Sequence, residues 1–147
     1  MKLALVGHRG VGKTSLLSRL KSYLKDISVL SLDQEIEKQM GKSIAKIFAD
    51  EGEGAFRQYE KQVFASLCKK EEENIILDVG AGFEGDFPED WTVLWVQRSI
   101  DLSQSQFLNR PNLDQSLTMD ISRFKKREKR YEKISDIEIE LLEHASE

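Results

Sequence analysis

Eight consecutive residues, Gly7-His8-Arg9-Gly10-Val11-Gly12-Lys13-Thr14, constrain this chain more than any other feature. They fit the spacing G-x-x-x-x-G-K-[ST] at every position. The flanks suit the motif. Lys2–Gly7 (KLALVG) is an apolar run ending in glycine, the pattern of a buried strand, and from Lys13 to about Leu24 the residues Leu16, Leu17, Leu20 and Leu24 recur at helical spacing. A strand that turns through glycines into a helix gathers backbone N–H groups into a nest, and the helix N-terminus adds positive potential there. The expected ligand is a nucleotide held by Gly10, Val11, Gly12, Lys13, Thr14 and Ser15. Lys13 neutralises the β- and γ-phosphates and the Thr14 hydroxyl ligates Mg²⁺. His8 occupies a variable position of the loop and reads as backbone filler.

Downstream, strands and helices alternate. Ile27–Leu32 (ISVLSL), Asn74–Val79 (NIILDV) and Thr92–Val96 (TVLWV) are short apolar runs, and Asp136–Leu141 (DIEIEL) reads as a last strand. Helical patterns cover Asp33–Met40 and Ser43–Ala49, the second capped by Ser43 after Gly41. A third, Glu53–Lys70, turns Phe56, Val63, Phe64 and Leu67 inward, and a charged helix spans about Leu117–Lys133. This alternation predicts an α/β fold of three layers around a five-stranded parallel sheet, in one domain spanning 1–147. With 22 Lys+Arg against 26 Asp+Glu, the formal charge of −4 argues against a general nucleic-acid coat. No run approaches the length of a membrane span. The lone Cys68 makes neither an internal disulfide nor a metal cluster, and the expected compartment is the cytoplasm. A GTPase switch fits poorly: there is no Asn-Lys pair, and in Asp78-Val79-Gly80-Ala81 the glycine falls one position early for D-x-x-G.

The stretch Asp33–Glu60, DQEIEKQMGKSIAKIFADEGEGAFRQYE, resembles the shikimate kinase block D-x-x-I-E…G-x-S-I-x-x-I-F…G-E…F-R-x-x-E. Gly80-Ala81-Gly82 is similar to that family's glycine triplet, Arg110-Pro111 to its lid motif, and Arg127 with Tyr131 to R-x-P-L-Y. The resemblance implies a P-loop kinase fold, ATP with Mg²⁺, and shikimate or a similar small hydroxylated carboxylate as substrate. By the same resemblance, Asp33 at the end of the second strand positions the attacking 3-hydroxyl. Arg57 and Arg127 hold the carboxylate, Gly80, Ala81 and Gly82 approach the ring, and Phe48 and Phe56 line an apolar wall. Arg110 closes over the phosphates from a lid at about 99–115. On sequence grounds alone Arg57 also suits an ion pair with Glu53 or Glu60, Arg127 a solvated charge run, and Asp33 a helix cap.

The chain departs from the family pattern at Ser31, where the first aspartate of D-x-D is expected. Asp78, at a strand end, is the candidate replacement as the acidic partner of the metal. The connection Ala81–Trp91 is short for a crossover helix, and the chain ends at Glu147, soon after the last strand. These departures leave two readings: an active kinase, monomeric or a fused domain, or a catalytically weak or inactive nucleotide- and substrate-binding domain, alone or in a fused protein.

Overall fold

The computed structural model describes residues 1–8, 12–70, 74–98 and 121–141. Five strands, β1 (Lys2–Val6), β2 (Ser28–Ser31), β3 (Ile75–Asp78), β4 (Trp91–Arg98) and β5 (Ile137–Leu141), form one sheet in the order β2-β3-β1-β4-β5. Every pairing is parallel, as expected. The helices among the described residues are α1 (Lys13–Tyr23), α2 (Leu32–Met40), α3 (Ile44–Lys69) and α4 (Ile121–Ile134). No helix among the described residues is long and apolar enough to cross a membrane.

Period-two alternation sorts the strands between two cores. Ala4, Val6, Ile75, Leu77, Val79, Val93 and Trp95 face a large cluster built with α2, α3 and Tyr131 of α4. Leu5, Ile76 and Val96 face a smaller one closed by Leu16, Leu17, Leu20 and Leu24. The connection after β1 therefore leaves toward one face. The connection after β3, carrying Phe83 and Phe87, packs on the other. Divergence of this kind at neighbouring strand ends opens a crevice for ligand.

Capping sets the helix boundaries around that crevice. The Ser31 hydroxyl accepts a hydrogen bond from Gln34 N at 3.4 Å, so β2 stops at Ser31 and α2 starts at Leu32, which is fully buried. Asp33 therefore lies in the first turn of α2, correcting its expected place at the end of a strand. It is not the cap either, because Ser31 fills that role. Ser43 caps α3 as expected, accepting from Lys46 N at 3.1 Å. The two helical patterns on either side of residue 52 form one element broken at Gly52, whose φ of 88° lies in the left-handed region. No helix forms between β3 and β4. Instead Phe83, Phe87 and Trp91 gather around Phe64, with ring centroids 5.1, 5.4 and 5.6 Å from it.

Candidate active site

Gly12 ends the loop after β1 with φ 103°, which turns the chain into α1. Gly10, Val11 and the Arg110 lid segment lie outside the described residues. Thr14 and Ser15 sit exposed in the first turn of α1. The buried ammonium of Lys13 donates to Gly7 O at 2.8 Å and Val79 O at 3.2 Å, and lies 3.6 Å from Asp78 Oδ1. It thus bridges the ends of β1 and β3. Asp78 Oδ1 is buried without a hydrogen-bond partner among the described residues, and burial pushes its carboxyl above the usual range, with Lys13 opposing. Asp78 is also the register partner of Ser31 on the adjacent strand.

Carboxylates collect behind the glycine segment. A Cβ on Gly80 would stand 3.3 Å from Glu60 Oε2 and 3.5 Å from Asp33 Oδ1, so this residue threads between two acids. Neither oxygen has a hydrogen-bond partner among the described residues. Burial raises Asp33 above the ordinary carboxylate range, and the neighbouring Asp78 adds to the shift. Glu60, only 1% exposed, is pushed up to about 7 by burial, with Arg57 opposing.

The arginines supply the opposite charge. Arg57 donates to Glu60 Oε1 at 2.8 Å and pairs with Glu53 at 3.2 Å, so its local ion pairing is real. It also reaches the cleft. A Cβ on Gly82 would fall 2.6 Å from Arg57 Nη2 and 2.7 Å from Arg127 Nη2, so two guanidinium groups distant in sequence converge on one glycine. Arg127 makes no hydrogen bond or ion pair with a described residue. Burial, together with Arg57 and Arg123, pulls it below its ordinary value, which corrects the reading of a solvated charge run. The cleft measures about 440 Å³, and Arg57, Arg123, Lys126, Arg127 and Arg130 outnumber Glu53 and Glu84 on its walls. An acidic chain thus presents a basic pocket.

Two expectations change. Phe48 and Phe56 pack against each other in the large core, with centroids 4.9 Å apart, and Arg57 lies over the Phe56 ring at 5.2 Å. Among the described residues neither belongs to the walls of this cleft; Phe56, backed by Phe48, supports the arginine that does. His8 is no filler. It is 4% exposed, stacks on Phe124 of α4 at 3.8 Å and meets the edge of Tyr131 at 5.1 Å. Burial, then Arg127 and Lys13, lower its pKa to about 3, so the ring is neutral and its 3.6 Å approach to Glu128 is no ion pair. Tyr131 donates to Ala81 O. The sequence signal for Glu60 was its place three residues after Arg57 on one helix; nothing in the sequence pointed to His8.

The shikimate kinase family model matches residues 9–147. The chain belongs to the shikimate kinase family. A shikimate kinase of Coxiella burnetii is 41% identical over 103 residues, covering 66% of this chain and 56% of that protein. A bifunctional shikimate kinase/3-dehydroquinate synthase of Thermotoga maritima is 32% identical over 102 residues, 69% of this chain and 20% of that one. The chain thus matches little more than half the length of the first of these relatives. A shikimate kinase from Acinetobacter baumannii, solved in complex with shikimate, superposes with a TM-score of 0.78 at 26% identity, covering 99% of this chain and 86% of the other. Within this shikimate kinase fold, the two arginines and Asp33 surround the glycine segment, while the acidic residue beside Lys13 sits on β3.

Proposed function

We propose that this chain transfers the γ-phosphoryl group of ATP to the 3-hydroxyl of shikimate. One observation carries the reading: Arg57 and Arg127 converge on Gly82, and the second makes no ion pair or hydrogen bond with a described residue. Two such forks suit a carboxylate, which accepts planar paired donors. The kinases named above add support, one of them solved with shikimate.

The chemistry follows from the placement of charge. The substrate hydroxyl oxygen attacks the γ-phosphorus, the bond to the β-γ bridging oxygen breaks, and ADP leaves. Asp33, its pKa raised by burial, is the group assigned to take the hydroxyl proton, since a base nearer the operating pH accepts it more readily. Lys13 offsets phosphate charge from the junction of β1 and β3, and the backbone of Gly10, Val11 and Gly12 with Thr14 and Ser15 holds the nucleotide. Arg110 is assigned to the equatorial oxygens of the transferring group.

No three His, Cys, Asp or Glu side chains gather into a metal cage among the described residues, but the Asp78 oxygen beside Lys13, buried without a hydrogen-bond partner among the described residues, fits a nucleotide-borne cation. Thr14 and Asp78 would hold Mg²⁺, with Asp78 on β3 serving in place of an acid at its register partner Ser31. When bound, Mg²⁺ neutralises charge on the phosphates.

Coupled ATP turnover measured with and without shikimate tests the proposal. Shikimate-dependent ADP release is expected. Binding of both ligands without turnover would instead make the chain a binding domain, the reading favoured by Ser31 and Ala81. Turnover indifferent to shikimate would overturn the substrate assignment.

A further inference from the structure

We propose that Arg130 is a positioning residue for the substrate cleft, tying the helix-free loop after β3 to α4 so that the glycine wall and Arg127 form one body. The inference rests on the cleft being the shikimate site. It begins from a backbone shortfall. Residues 79–90 contain no helix and cross from β3 to β4 beyond β1, so their carbonyls have no helical partners. Within the loop the hydrogen bonds are Phe83 N to Gly80 O and Trp91 N to Pro88 O, each 3.0 Å.

Helix α4 holds the middle of the loop with three further hydrogen bonds. Arg130 Nε donates to Phe83 O at 3.1 Å and Arg130 Nη2 to Gly85 O at 2.7 Å, while the Tyr131 hydroxyl donates to Ala81 O. A planar fork holds two carbonyls two residues apart with donors at fixed angles on two edges, whereas a lysine ammonium is a single point donor on a flexible stem. The loop is wound closely at this point: a Cβ on Gly85 would collide with the Phe83 ring, which is itself seated on Phe64. Arg127 and Arg130 stand three residues apart, on one side of α4. The fork that fixes the loop therefore also fixes the distance between Gly82, which approaches the substrate ring, and Arg127, which takes its carboxylate. Arg130 acts through these two and needs no bond to the substrate.

The test compares wild type with Arg130→Leu and Arg130→Lys. Amide hydrogen exchange on the unliganded proteins reads the tether without any substrate. Loss of two charge-assisted hydrogen bonds should speed exchange in residues 80–86 by roughly tenfold or more, with β1 and the core of α3 unchanged. In steady-state assays, KM for shikimate should rise by a similar, roughly tenfold, factor while KM for ATP stays put. Arg130→Lys should fall between wild type and Arg130→Leu. Unchanged exchange in 80–86 would overturn the proposal, as would faster exchange spread evenly over the protein or parallel rises in both KM values. If wild type shows no shikimate-dependent turnover, the functional reading fails, and the exchange data still decide the tether.

Discussion

Replacing Arg127 by Met separates what this side chain does for the fold from what it does for a ligand. Its Nη2 and that of Arg57 both lie within 2.7 Å of a single point above Gly82. At a separation of about 5 Å and an effective dielectric of about 20, two unit charges repel by about 3 kcal/mol. Glu60 and Glu53, at 2.8 and 3.2 Å from Arg57, offset part of that repulsion. Without ligand, Arg127→Met should therefore leave thermal stability unchanged or slightly higher. A bound carboxylate reverses the balance. Losing its contact with Arg127 should cost about 3 kcal/mol, roughly a hundredfold in affinity.

Shikimate methyl ester, which lacks the carboxylate charge, should lose a similar amount against wild type. Calorimetric titration of both ligands against both proteins closes a double-mutant cycle. The two losses should overlap, because each removes the same interaction. Binding of shikimate to Arg127→Met within threefold of wild type, or losses that simply add, would refute the paired cradle.

Gly82→Ala should push the ends of two flexible arginines aside; the fold should lose under about 1 kcal/mol by urea titration while shikimate affinity falls at least about tenfold. His8→Phe keeps a ring against Phe124 and removes a titrating group. Between about 6.5 and about 3 the unfolded chain binds a proton that buried His8 refuses, so this residue's share of stability is lost as pH falls. From pH 7 to 4, wild type should lose about 3 kcal/mol more than the variant in urea melts, and equal acid slopes would contradict the burial argument. Asp78→Asn should weaken Mn²⁺ binding to the ADP complex by about tenfold, read by electron paramagnetic resonance, and unaltered binding would remove Asp78 from the metal site.

Local chemistry carried most of the architecture. The apolar runs became the strands, Ser43 capped α3, and the glycine loop led into α1, because each depends on residues close together in the chain. The place of Asp33 turns on a finer contest. Ile27–Leu32 is apolar enough to continue a strand, but a serine hydroxyl able to bond Gln34 N ends it at Ser31. Arg57 and Arg127 are legible through spacing, and neither their convergence nor the absence of a described ion pair for Arg127 follows from sequence, since both depend on how α3 and α4 cross the glycine segment. His8 and Arg130 carry no local signal for the same reason: their partners, Phe124 and the carbonyls of Phe83 and Gly85, lie far along the chain.

The pairing of Ser31 with Asp78 across β2 and β3 has a consequence for reading relatives of this protein. Register neighbours in a parallel sheet stand about 4.8 Å apart, so a charge can hop sideways from one strand to the next and still face the same phosphates. A linear pattern scan scores such a hop as a deletion in one place and a stray acid in another. Two-dimensional bookkeeping, strand against strand, recognises it as one berth exchanged for the adjoining one.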